Sequence, residues 1–307
     1  MFKKIIAIVL ALLTLLSLAG CNNDTARKSE KIKIVTSFFP IFDFTREITK
    51  GEVELEMILP LGVEPHSYEP TISNIASIEN ADLVIYIGGE SDKFLEKTNI
   101  KNKSLKLSEV VDTYSPDEIG AIMSNEEHEH EHHDDGNFDE HIWLSPKNAI
   151  KIVDSILDAI IKIDEKNAQI YKNNAKEYKF KLEKLSNDLN EIPKDKEVII
   201  ADRFPFGYLL HDYGFKFSSA LPMCSSESEP TIDTMKFLID TIKKSEIKTV
   251  FTIEFSPKTI AKRLQKECGV NIKTLYSMQS ISKNDFVKGE TYLTFMNKNI
   301  ELLKEAK

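Results

Sequence analysis

Ten consecutive residues, Glu126-Glu127-His128-Glu129-His130-Glu131-His132-His133-Asp134-Asp135, interleave four histidines with six carboxylates. Neutral imidazole nitrogens and anionic oxygens this close together suit borderline divalent cations, zinc above all. An ordinary acidic run is merely solvated and seldom alternates with histidine. Just beyond it, Asp139-Glu140-His141-Ile142-Trp143-Leu144-Ser145-Pro146 sets His141 against apolar residues. An ordered ligand needs such a packed shell to orient it. Five of the seven histidines lie between residues 128 and 141. His66 is the other candidate, held between two prolines in Leu61-Gly62-Val63-Glu64-Pro65-His66-Ser67-Tyr68-Glu69-Pro70. Its loop follows a predicted strand, and open α/β sheets bind ligands at the C-terminal ends of strands. A lone histidine there would otherwise be a surface residue.

Two βα regions must position these groups. In the first, 32–36 and the alternating 53–59 read as strands, as do the continuous apolar run 83–87, ended by Gly88-Gly89, and a short edge at 105–107. Helical spacing covers Phe42, Phe44 and Ile48, then Ile72, Ile75 and Ile78. In the second, strands are predicted at 198–201, 216–221, 249–253 and 271–276, with helices at 206–213, 231–244, after Ser256-Pro257, and 292–303. Strands alternating with helices imply parallel sheets covered on both faces. Between the regions, Ser145-Pro146 has the chemistry of an N-cap followed by proline at the first helical position. Its apolar stripe runs from Ile150 to Ile192, with a break near Asp164 and a stop at Pro193. This segment reads either as a stiff spine between two lobes or as two ordinary surface helices. The two halves share a rhythm without a sequence repeat.

The N-terminus bears on the compartment. Met1-Phe2-Lys3-Lys4, the apolar run 5–18 and Leu18-Ala19-Gly20-Cys21 read as a secretory signal, too short and wrongly flanked for a membrane span. The small residues ahead of Cys21 resemble a bacterial lipobox, which implies that Cys21 is lipidated and tethers the chain to a membrane face. Residues 22–31 are polar and aperiodic. The formal net charge of −9 becomes more negative once Lys3 and Lys4 leave with the signal, which disfavours nucleic acid and anionic lipid as partners. An exported chain can oxidise Cys224 and Cys268, but their spacing says little about pairing. Cys268 reads as a small buried hydrophobe.

Taken together, Glu64-Pro65-His66-Ser67-Tyr68-Glu69-Pro70, the acidic histidine run, His141-Ile142-Trp143-Leu144-Ser145-Pro146 and Phe206-Gly207-Tyr208-Leu209 resemble the zinc and manganese ABC-transporter solute-binding lipoproteins. The resemblance runs from the lipobox to the last helix. It implies two pseudo-symmetric βα lobes with parallel sheets joined by a long backbone helix, and a metal held in the cleft between them. It further implies delivery to a membrane permease driven by a separate ATPase. His66 matches the family's first ligand and His141 its second. The third falls at Arg203, in Ala201-Asp202-Arg203-Phe204-Pro205-Phe206, and the fourth at Gln279. A guanidinium cannot coordinate a metal and repels a dication, so Arg203 must turn away or be neutralised by Asp202, Glu227 or Glu229. In Pro222-Met223-Cys224-Ser225-Ser226-Glu227-Ser228-Glu229-Pro230, Cys224 and Glu227 are candidate replacement ligands, a thiolate and a carboxylate suited to zinc. Asp202 and Glu254 are further candidates. The histidine run resembles the His-rich loop of zinc-type members, a weak capturing site beside a tight one.

The expected organisation is a signal at 1–20, a lipid-anchored tether at 21–31, an N-terminal lobe at 32–144 carrying the loop 126–135, a linking helix at 145–193 and a C-terminal lobe at 194–307. The expected function is capture of zinc, with manganese open, by a monomeric binding protein that feeds an ABC importer. A diverged adhesin or weak metal buffer remains an alternative. A zinc hydrolase is disfavoured, since no Gly-x-Ser-x-Gly elbow or phosphate-cradling glycine loop occurs in the chain.

Overall fold

The computed structural model describes residues 31–119, 138–195, 197–222 and 229–305. The first region comprises β1 (Lys33–Thr36), α1 (Phe39–Thr49), β2 (Glu54–Met57), α2 (Ile72–Glu79), β3 (Leu83–Tyr86), β4 (Ser104–Lys106) and α3 (Pro116–Ile119). Two helices follow, α4 (Pro146–Ile163) and α5 (Ala168–Asn190). The second region runs through β5 (Glu197–Ile200), α6 (Gly207–Asp212), β6 (Lys216–Ser219), α7 (Ile232–Lys244), β7 (Thr249–Ile253), α8 (Thr259–Cys268), β8 (Asn271–Leu275), α9 (Lys283–Val287) and α10 (Tyr292–Glu305).

Each region builds a four-stranded parallel sheet, ordered β2-β1-β3-β4 in the first and β6-β5-β7-β8 in the second. The lobes therefore repeat one topology without repeating a sequence. Ile34 sits opposite both Leu55 and Leu83, which fixes β1 at the centre of the first sheet. Every residue of β3 is buried, as an inner parallel strand requires. In this order the chain leaves β1 in one direction and β3 in the other, so the crevice beyond their C-terminal ends is a topological switch point.

The linking segment is a helical hairpin rather than one rod. Asp164, at φ −140°, breaks the helix. Its carboxylate receives the Tyr171 hydroxyl at 2.5 Å and the Asn167 amide at 2.8 Å, which closes the turn. Lys179 then reaches Asp154 at 2.5 Å, so α5 runs back along α4. The buried stripes of this hairpin (Ile152, Val153 and Ile156 on α4; Tyr178, Leu182 and Leu185 on α5) join Ile34 and Ile85 of one sheet and Ile200 and Phe251 of the other in a continuous core. Helix α10 returns to the first lobe: Phe295 packs edge-on against Phe39, and the Tyr292 N–H donates to Asp43 at 2.8 Å. Burial raises the Asp43 carboxyl to about 6 against the pull of Arg46.

Two predicted caps differ. Ser145 precedes α4, yet its side chain makes no capping bond. After Ser256-Pro257 the helix starts only at Thr259, because Ser256 donates its hydroxyl to Asp202 and accepts from the Lys258 N–H, while Lys258 is left-handed at φ 59°. Thr71 and Thr231 do cap α2 and α7, accepting from Asn74 and Thr234. Cys268, a free thiol, is half-buried rather than sealed in the core. No helix among the described residues is long and apolar enough to cross a membrane.

Candidate metal centre

Three donors converge at the mouth of the first sheet. His66 lies in the loop after β2, in a short 3-10 turn opened by Pro65. Glu140 and His141 stand at the entrance to the linking hairpin. Donor atoms of His66, Glu140 and His141 all fall within 4.8 Å of one another. The imidazole centroids are 6.3 Å apart, and His66 Nδ1 is 3.7 Å from Glu140 Oε1. Tetrahedral zinc at about 2.0 Å from each ligand separates its donors by about 3.3 Å. A closure of about 1–2 Å therefore makes a binding shell from these side chains.

The surroundings hold the donors in place. Ile142, Trp143 and Leu144 are fully buried. The Trp143 indole donates to the Ser277 carbonyl at 2.8 Å, and the Tyr292 hydroxyl donates to the Trp143 carbonyl at 2.7 Å. His141 Nδ1 meets Asp139 Oδ1 at 2.6 Å, which leaves Nε2 aimed into the cavity, 3.3 Å from Gln279 Oε1. Glu140, 2 % exposed, accepts from the Ser91 N–H at 3.0 Å, from the Ser91 hydroxyl and from the Gln279 amide at 2.9 Å. Ser91 also lies 3.0 Å from His66 Nδ1. A carboxylate so buried gains most from a cation beside it, and the two imidazoles leave room for a metal to be that cation.

Burial lowers the His66 pKa, with the Glu140 charge opposing. At His141 burial also lowers, but the charge and hydrogen bond of Asp139, helped by Glu140, outweigh it and leave this imidazole raised. Protons would therefore compete with a metal for His141 more strongly than for an ordinary imidazole.

The second lobe supplies the opposite wall. Arg203 follows β5, Glu254 follows β7, and Ser277 and Gln279 follow β8; with His66 and His141 they line a cavity of about 170 Å³. Both sheets thus face the site with their C-terminal ends. Arg203 and Gln279 stand in the cavity where the resemblance implied ligands. The neutraliser of Arg203 is Glu64, at 3.1 Å. Asp202 instead receives the Arg203 backbone N–H and the Ser256 hydroxyl, and Glu229 pairs with Arg263 at 2.9 Å. Glu254, a further ligand candidate, accepts from the Ser277 N–H, the Ser277 hydroxyl and the Met278 N–H at 2.6–2.8 Å. Its oxygens anchor the 277–280 loop, with Met278 held left-handed at φ 60°. Cys21, the run 126–135, Cys224 and Glu227 lie outside the described residues. Glu140 is the donor that sequence reasoning passed over. It looked like the tail of the acidic run, although its place between Asp139 and the packed His141-Ile142-Trp143 was the signal.

Over residues 34–306 the chain matches the family described as zinc-uptake complex component A, periplasmic (ZnuA). The chain belongs to this family. It is 31 % identical to the high-affinity zinc uptake system protein ZnuA of Bacillus subtilis, over 100 % of this chain and 98 % of that protein. It is 30 % identical to the zinc-binding lipoprotein AdcA of Streptococcus pneumoniae strain R6, over 99 % of this chain but only 61 % of the relative, so it spans about three-fifths of that protein. The crystal structure of the Zn(II)-bound ZnuA-like domain of Streptococcus pneumoniae AdcA superposes with a TM-score of 0.69 at 29 % identity, covering 90 % of this chain and 98 % of that one. The two-lobed arrangement of parallel sheets is thus the fold of the family.

Proposed function

We propose that this chain captures a zinc ion between His66, Glu140 and His141 and delivers it to an ABC importer, a permease with its own ATPase. The observation that carries the proposal is the convergence of these donors within 4.8 Å of one another at the shared mouth of both sheets. Two imidazoles and a carboxylate suit zinc better than the all-oxygen preference of harder cations. Membership of a zinc-uptake family supports the importer as partner. Leu18-Ala19-Gly20-Cys21 supports a lipid anchor on the extracytoplasmic face, with the binding body acting as a monomer. The run 126–135 serves as a loose collector feeding the tight site.

The test is metal retention. After exhaustive dialysis the protein should keep one zinc per chain, manganese should not displace it at equal concentration, and His66→Ala and His141→Ala should each lose it. The rival reading, a diverged weak buffer or adhesin, is favoured by the guanidinium of Arg203 in the cavity. It would be supported by weak multi-site binding that vanishes when residues 126–135 are deleted.

A further inference from the structure

The cavity has a wall that a bare dication would not ask for. Arg203 lines the same space as His66 and His141. A guanidinium stays charged and cannot coordinate, so here the cleft presents a cation to a cation. The ion pair of Arg203 with Glu64 joins side chains 31 % and 42 % exposed. Pairs this wet hold weakly and exchange for a better anion.

Three further observations point the same way. The cavity measures about 170 Å³, whereas one water needs only about 10–15 Å³, so the space exceeds what an ion and a water fill. His66, Glu140 and His141 leave tetrahedral zinc one ligand short, and the Gln279 amide oxygen, 3.3 Å from His141 Nε2, is a neutral donor that brings no charge to the ion. Zinc bound by two neutral imidazoles and one carboxylate keeps a net positive charge, which an anionic fourth ligand cancels. Phe204, Pro205 and Phe255 line the cavity with Arg203; Phe255 is 59 % exposed and left-handed at φ 61°.

We propose that the site takes zinc together with a small carboxylate co-ligand, of the dicarboxylate or hydroxycarboxylate class. One carboxylate group fills the fourth zinc position while the planar fork of Arg203 receives the anion's oxygens. The proposal rests on the zinc site described above and assigns Arg203 as the residue that holds the co-ligand anion beside the bound ion.

Oxalate is the probe. Full-length protein is loaded with zinc and dialysed, its metal content is measured, and oxalate is titrated in by calorimetry. Zinc-loaded wild type should bind one oxalate without losing zinc, and zinc-free wild type should bind at least tenfold more weakly. Arg203→Met should keep its zinc and weaken oxalate at least tenfold, with Arg203→Lys in between. Absence of oxalate binding to loaded wild type, equal binding by loaded Arg203→Met, or extraction of zinc by oxalate would each overturn the co-ligand. Zinc missing after dialysis, before any oxalate is added, would sink the underlying metal assignment and the co-ligand with it.

Discussion

Replacing Asp139 by Asn changes one charge at the back of the proposed centre and leaves the three donors in place. Asp139 Oδ1 accepts the His141 backbone N–H at 2.9 Å and faces His141 Nδ1 at 2.6 Å. It thereby fixes the tautomer that turns Nε2 into the cavity and makes the ring a stronger donor. Loss of such an outer carboxylate typically costs 10–100-fold in metal affinity, or about 1.4–2.7 kcal/mol. The pH profile separates this role from a structural one. In wild type the raised His141 pKa means that protons compete with zinc at higher pH than an ordinary imidazole allows. Asn removes the main raising influence, so the competition moves to lower pH. The deficit of Asp139→Asn should be largest near about pH 8 and shrink towards about pH 6. Chelator competition with a zinc-responsive dye across that range reads both effects. Affinity within twofold of wild type at every pH would mean that Asp139 does not tune His141.

Glu140→Gln keeps the size and part of the hydrogen bonding to Ser91 and Gln279 but removes the charge; zinc affinity should fall by about 100-fold, or about 2.7 kcal/mol, in the same dye assay. In a calorimetric zinc titration, deleting residues 126–135 should abolish weak binding and leave one tight site. Cys224→Ala and Glu227→Ala should each bind zinc within twofold of wild type, since the donors already converge without them; a tenfold loss in either would return that loop to the ligand set. Asp43 holds its proton to about 6 in the folded protein against 3.8 as the ordinary value. Folding then takes up a proton between those pH values, so stability falls as pH rises through the window, by up to about 3 kcal/mol. Urea titrations of Asp43→Asn at about pH 4 and about pH 6.5 should lack that difference.

Local patterns carried much of this structure. The unbroken apolar run at Leu83–Tyr86 reads as a buried parallel strand and forms one, and the break in the linking segment falls at Asp164 as the stripe implies. The meeting of His66 and His141 in one cavity was legible because a rigid proline-flanked loop and a packed Ile-Trp-Leu stretch are local features. Ser256 misled for a tertiary reason. Ser256 is drawn to Asp202, a partner 54 residues away, and no local rule anticipates that competition. The Arg203–Glu64 pair spans 139 residues and joins loops of opposite lobes, so sequence reasoning looked for a neutraliser among nearer acids. Glu140 was hidden by its company, since a carboxylate following a run of carboxylates gives no sign that the chain dives into the core one residue later.

Crystals of the full chain grown with one equivalent of zinc, with data collected on both sides of the zinc absorption edge, would locate the ion. A single strong anomalous peak within coordination distance of His66, Glu140 and His141 is the predicted result. A peak bound elsewhere, with these three side chains still hydrogen-bonded to Ser91, Asp139 and Gln279 alone, would contradict it.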